Sequence, residues 1–394
     1  MSVKTNENYA KLGQNYLFSE IGKRVREYAE ANPDKDIIRL GIGDVTLPLA
    51  PAVITAMHKA TDEMAVKETF RGYPPEYGYD FLREAVSRLY SGMRATIKPD
   101  DVFVSDGAKS DTGNIAEIFG DNRVLLPDPV YPVYNDSNVM MGRNITLMKA
   151  TMENGFLPTP PKDITDSSVI YLCSPNNPTG AVFSYDQLSE WVEYANATGS
   201  VIVYDAAYSS YVKGNLPQTI FEIDGAKKCA LEIGSFSKSA GFTGTRCSWT
   251  VIPEELTVNG TPLATLWKRR QATKFNGVPY VIQRAAEAAL SPEGMAQCQE
   301  MVDYYMDNAH MLAALFDKKG VWYTGGQNSP YIWIKCPGTD DSWAFFDSLL
   351  NDIQIVGTPG CGFGSCGEGF FRFTAFGDND KTKEAVERLD AYLK

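Results

Sequence analysis

The sequence predicts an α/β protein with a large domain, in which a mostly parallel sheet is covered by helices, and a smaller α+β domain built from both ends of the chain. Three observations carry this. Short apolar runs (Val102–Val104, Arg123–Leu126, Val169–Leu172, Ser200–Tyr204 and Cys247–Ile252) alternate with helix-patterned segments, as strands covered by helices require. A length of 394 residues, 44% of them apolar, favours two or so domains. The two ends lack the alternation and read as helix plus strand.

In chain order, Ile21–Ala31 carries apolar residues at helical spacing, and Asn32-Pro33-Asp34 stops it before the strand-like Ile37–Leu40. Residues 1–45 are therefore read as an N-terminal arm and the first part of the small domain. The alternating pattern assigns 46–283 to the large domain. Beyond Pro279 a long helical stretch, through Met295 to Lys319, leads to the strands Tyr331–Ile334 and Phe370–Phe373, so 284–394 completes the small domain.

Composition removes several functions. A net charge of -12 with no basic run argues against nucleic acid. Met1–Gly13 is polar and lacks the apolar core of a signal peptide, no stretch reaches the eighteen apolar residues of a membrane span, and seven cysteines without framework spacing read as reduced thiols. A cytoplasmic setting is expected. Only His58 and His310 are present, both in helical stretches, which leaves little for a histidine-dependent hydrolase or a His/Cys zinc site. Cys361 and Cys366 lack a second pair, so no metal is expected and the segment reads as a glycine-rich turn. Gly41-Ile-Gly43 lacks the third glycine of a dinucleotide fingerprint.

The chemistry concentrates around Ser235-Phe-Ser237-Lys238-Ser-Ala-Gly-Phe, with Arg246 eight positions after the lysine. Two hydroxyls and an arginine can hold a phosphate beside a lysine amine able to bind an aldehyde, a combination that suggests pyridoxal phosphate. Upstream stand Ser174-Pro-Asn-Asn177-Pro-Thr-Gly180 and Asp205-Ala-Ala-Tyr208, and downstream Phe370-Phe-Arg372-Phe. This ordered set resembles the fold type I pyridoxal-phosphate-dependent aminotransferases of class I and II, whose large domain is built on a seven-stranded sheet.

The resemblance gives each residue a role. Asp205, at the end of a strand, would face the cofactor's ring nitrogen and keep it protonated. Tyr208 and Asn177 would sit near the ring oxygen, Tyr131 would stack on the ring, and Arg372 would grip the substrate α-carboxylate as a planar bidentate partner. Lys238 would bind the cofactor and then carry protons, with Lys238, Asp205 and Tyr208 as the catalytic set. Ser105–Ser110, between a strand and the helical-looking Thr112–Phe119, would add the backbone amides of Ala108 and Lys109 to the phosphate site of Ser235, Ser237 and Arg246.

Across nearly the whole chain the likeness narrows to the LL-diaminopimelate aminotransferase family. It rests on Gln14–Phe18, Gly72-Tyr-Pro-Pro-Glu76-Tyr-Gly78, Asp106–Lys109, Cys173–Gly180 and Phe275-Asn276-Gly277. It implies transfer of an amino group between glutamate/2-oxoglutarate and tetrahydrodipicolinate/LL-2,6-diaminopimelate, for lysine and peptidoglycan synthesis. The substrate's far end carries an ammonium and a carboxylate, for which Glu76 and Lys109 are the candidates. Tyr16, Gly43, Tyr131, Asn177 and Asn276 resemble further substrate contacts, and Tyr73 and Asn276 also cofactor contacts. Tyr73, Glu76 and Asn276 would be lent by a second subunit, which implies a homodimer with shared sites. The chain departs from the family at Pro74, where Gly is common, and at Ser239-Ala240 after the lysine. The alternatives are another fold type I aminotransferase acting on aspartate, alanine or aromatic amino acids, a lyase or synthase using the same cofactor, and a ligand-sensing regulator, for which no basic DNA-binding arm is present.

Overall fold

The computed structural model describes residues 3–12, 17–41 and 43–393. In chain order the strands are β1 (Ile38–Arg39), β2 (Val102–Ser105), β3 (Arg123–Asp128), β4 (Asn144–Lys149), β5 (Ser168–Cys173), β6 (Val201–Asp205), β7 (Ala230–Ser235), β8 (Ser248–Val251), β9 (Thr257–Val258), β10 (Thr261–Pro262), β11 (Tyr323–Gly325), β12 (Tyr331–Lys335), β13 (Ile355–Val356), β14 (Thr358–Pro359) and β15 (Phe370–Thr374).

Seven of them form the large sheet, in the order β2-β8-β7-β6-β5-β3-β4. Only β8 runs against its neighbours; β7, β6, β5, β3 and β4 pair in parallel. The central strands are buried along their whole length, β5 and β6 at every residue. That explains why they read as continuous apolar runs rather than as alternating ones. One apolar cluster (Leu125, Ile170, Ile202, Trp191) and another (Val124, Tyr171, Val203, Trp267) pack on the two faces of this sheet.

Asp128, Cys173, Asp205 and Ser235 are the last residues of their strands, and Ser105 ends β2, which runs in the same sense as β7. The antiparallel β8 starts at Ser248 on that same edge, just after Arg246. The segments carrying Ala108, Tyr131, Asn177, Asp205, Ser235 and Arg246 therefore meet the sheet on one side, as open α/β sheets place their ligands, while the loops of Tyr73, Glu76 and Asn276 run between helices.

The small domain is a four-stranded antiparallel sheet, β11-β12-β15-β14, with β1 paired in parallel to β13. Its own apolar cluster includes Leu17, Leu40, Trp333, Phe346 and Phe371. Helix Pro292–Lys319, capped by Ser291 and closed by the left-handed Gly320, leads into it from the large sheet.

Local boundaries differ from the sequence reading in three places. The first helix begins at Leu17 rather than Ile21, and β1 shrinks to two residues. The helix expected over Thr112–Phe119 runs instead over Ala108–Asn114 and tightens to a 3-10 turn at Ile115–Ile118. Gly113 and Asn114 are weak helix formers and give no support to a continuous α-helix there.

Candidate active site

One cavity of about 760 Å³ gathers the sequence candidates. Gly43, Ala108, Lys109, Tyr131, Asn177, Asp205, Tyr208, Ser235, Ser237, Lys238, Arg246 and Arg372 all line it.

At its anionic end, Asp205 is buried at the tip of β6. Its Oδ2 accepts a 2.5 Å hydrogen bond from the Tyr134 hydroxyl and its Oδ1 one of 3.0 Å from the Ala207 amide. Burial pushes its pKa up, and those two donors pull it back. Among the described residues no cationic side chain is hydrogen-bonded or ion-paired to it. A buried carboxylate with only neutral donors is costly, and a protonated ring nitrogen is the group that would complete it.

Elsewhere on the cavity wall, Arg246 adopts a left-handed φ of 62°, and its Nη1 donates to Ser237 Oγ at 3.4 Å. Ser235 caps the short helix Phe236–Ser239, accepting from the Ser237 amide at 3.1 Å. Gly107, with φ 135°, lies so close to Arg246 that a Cβ would collide with its guanidinium. The amides of Ala108 and Lys109 open helix Ala108–Asn114 and have no partner within it. With seven residues this helix adds little dipole; the arginine and the hydroxyls carry the charge complementarity for a phosphate.

Lys238 lines the same cavity. Its Nζ donates to the Gly43 carbonyl and lies 5.1 Å from the centroid of the Phe376 ring. Burial is the main cause that lowers its pKa to about 8; the charge of Asp44 opposes the fall, and those of Arg372 and Arg246 add to it. A substantial neutral fraction near pH 8 is what a nucleophile and proton carrier needs.

Arg372, on β15 opposite Trp333 of β12, is buried. Its Nη1 donates 2.6 Å to Asn177 Oδ1 and its Nη2 2.8 Å to the Gly41 carbonyl. Arginine only donates, so the Asn177 oxygen faces it and the Asn177 amide nitrogen is the end left to donate elsewhere. Lys109 Nζ lies 5.9 Å from the centroid of the Tyr131 ring, whose edge meets Tyr134 at 5.7 Å.

Tyr73, Glu76 and Asn276 do not line this cavity, and Tyr73 is 87% exposed. Their two loops touch, since Gly277 packs against Pro74 and the Pro75 carbonyl. Tyr16 lies outside the described residues. Sequence reasoning missed Tyr134, Tyr331, Asp44 and Phe18, all of which line the cavity. Tyr134 follows Tyr131 by one helical turn, a signal that was available; Tyr331 arrives from the other domain and leaves no local trace.

The family profile described as aminotransferase class I and II matches residues 35–389. The chain belongs to the class I and II aminotransferase family. Within that family it is 52% identical to the LL-diaminopimelate aminotransferase of Lachnospira eligens over 98% of this chain and 99% of that one, and 52% identical to that of Agathobacter rectalis with the same coverage. The solved LL-diaminopimelate aminotransferase of Chlamydomonas reinhardtii superposes on this aminotransferase with a TM-score of 0.94, at 42% identity, over the full length of both chains.

Proposed function

We propose that the chain catalyses pyridoxal-phosphate-dependent transamination between LL-2,6-diaminopimelate and 2-oxoglutarate, working physiologically to make LL-diaminopimelate from tetrahydrodipicolinate and glutamate. The observation that carries the cofactor is that the half-buried Lys238 lines one cavity with a buried carboxylate that has no cationic partner among the described residues and with a cluster of serine hydroxyls and an arginine. The likeness in sequence to the two curated diaminopimelate enzymes carries the substrate.

When bound, the cofactor supplies a carbonyl that condenses with amines and a ring that takes up the electron pair left when a Cα–H bond breaks. The chain's own groups do the rest. Asp205 holds a protonated nitrogen in place, oriented by Tyr134 and Ala207. Arg246, Ser235, Ser237 and the amides of Ala108 and Lys109 hold the phosphate. Tyr208 and the Asn177 nitrogen donate to the ring oxygen, and Tyr131 covers the ring. Arg372, a planar five-donor fork on the cavity wall, would grip the α-carboxylate. Lys238 gives and removes the proton at the substrate Cα. Lys109 and the Gly43 backbone meet the rest of the substrate.

The distal ammonium calls for Glu76; Tyr73 and Asn276 are assigned as cofactor contacts, and Asn276 and Tyr16 as further substrate contacts. Tyr73, Glu76 and Asn276 serve the neighbouring subunit of a homodimer. Supporting this, their loops adjoin each other and carry exposed Val66, Phe70 and Tyr73, an apolar stretch that calls for cover. The domain division, 1–45 with 284–394 against 46–283, belongs to the same reading and is supported by the separate four-stranded sheet β11-β12-β15-β14. So does a cytoplasmic setting: all seven cysteines are free. No helix among the described residues is long and apolar enough to cross a membrane.

The test is the absorbance spectrum of the protein loaded with pyridoxal phosphate, recorded after LL-diaminopimelate, glutamate, aspartate and an aromatic amino acid in turn. Conversion to the amine form of the cofactor by the first two is expected. Conversion by aspartate or the aromatic amino acid alone would reassign the substrate, and no chromophore at all would overturn the cofactor.

A further inference from the structure

We propose that Tyr331 is a positioning residue that ties the phenol of Tyr208 to the guanidinium of Arg372 across the two domains. The inference rests on the cofactor reading above. Tyr331 is the first residue of β12, is buried, and lines the cavity. Its hydroxyl lies 2.5 Å from that of Tyr208, and the two rings meet edge to face at 5.0 Å. On β15 it pairs with Thr374, which makes Arg372 its diagonal neighbour, close enough for contact. The guanidinium carbon of Arg372 stands 4.5 Å from the centroid of the Tyr331 ring. A Cβ at Gly43 would press on the Tyr331 hydroxyl, so the backbone that accepts from Lys238 also runs beside it.

The consequence is chemical. Two hydroxyls this close share one proton between them, and whichever donates outward is strengthened by the other donating to it. For Tyr208 to donate to the cofactor's ring oxygen, Tyr331 must donate to Tyr208. The Tyr331 ring meanwhile packs on the Arg372 guanidinium and so helps fix the orientation in which its N–H groups donate. Tyr331 touches neither the reacting carbon nor its proton, and its effect passes through the two residues that do the binding.

The experiment compares the parent, Tyr331→Phe, Tyr208→Phe and the double variant, each loaded with pyridoxal phosphate. The readout is the pH midpoint of the visible band, followed by KM and kcat for glutamate. Tyr331→Phe is expected to move the midpoint by about half a pH unit, in the same direction as Tyr208→Phe. The double variant is expected to move it no further than Tyr208→Phe alone, because the two hydroxyls act as one chain. Tyr331→Leu, which also removes the ring face, is expected to raise KM severalfold while kcat falls less. A Tyr331→Phe midpoint equal to the parent's, or shifts that simply add, overturns the proposal while leaving the cofactor reading intact. A parent that takes up no chromophore overturns both.

Discussion

Lys238 is the residue on which most of the site depends, because its amine is useful only when it has lost its proton. Burial holds its pKa at about 8 instead of near 10.5, so the nucleophilic form grows as pH rises toward and past that value. Uptake of pyridoxal phosphate by cofactor-free protein should therefore accelerate between about pH 7 and 9, with its half-maximum near 8; a rate flat across that range would show that the amine is not the titrating group. Lys238→Ala should abolish transamination, measured as glutamate-dependent LL-diaminopimelate formation, and turnover within tenfold of the parent (about 1.4 kcal/mol of barrier) would remove Lys238 from the mechanism. The lysine and its serines were legible in the sequence because a phosphate-and-amine site on one strand-to-helix turn is a local pattern. Tyr134, one turn after Tyr131, left a local signal that went unused; Tyr331 left none, because its place is set by which strand packs beside which, and a tyrosine in an apolar run carries no mark distinguishing a core residue from a cavity wall.

Individual elements show how the site is held from behind. Gly107 opens helix Ala108–Asn114 with a φ of 135°, against the Arg246 guanidinium. Gly107→Ala should strain that turn and displace Arg246, weakening pyridoxal phosphate by about tenfold or more; equilibrium titration of the cofactor-free variant checks it. In the middle of β7, Glu232 is buried and accepts from the Tyr90 hydroxyl at 2.6 Å, the Thr219 hydroxyl at 2.6 Å and the Ile220 amide at 3.0 Å. Burial raises its pKa to about 7, the three donors notwithstanding. Because the folded pKa lies above the model-peptide value, the associated stability is present below about pH 4.5 and is lost as pH rises through 7. Glu232→Gln should flatten that dependence, seen as a smaller difference in melting temperature between pH 5 and pH 8 than the parent shows. The same glutamate explains why β7 is missing from the strands picked out by apolar runs: a carboxylate and Gly234 interrupt the pattern, and only the fold supplies the donors that let a central strand keep them. The edge strand β4 escaped for another reason, since most of its residues are at least partly exposed.

For the whole molecule, the loops carrying Tyr73, Glu76 and Asn276 lead to a quantitative expectation. If each subunit completes its neighbour's site, mass measurement in solution should give twice the 43.5 kDa chain, and an active monomer would refute the arrangement. Mixing Lys238→Ala chains with Glu76→Gln chains, unfolded and refolded together, should recover diaminopimelate turnover from the heterodimers, in which one of the two sites has both residues intact. The α/β class and the two-domain plan were readable from alternation and order along the chain, because buried parallel strands are continuous apolar runs separated by the helices that cover them. The small domain was less so: β1 and β13 are two residues each and hold together only because they find one another. That pairing joins residue 38 to residue 355, with Arg372 farther on still. During synthesis the sheet that ends in Asp205 and leads into Lys238 is complete well before its partner domain can close, so a nascent chain carries Asp205, Lys238 and Arg246 long before Arg372 exists.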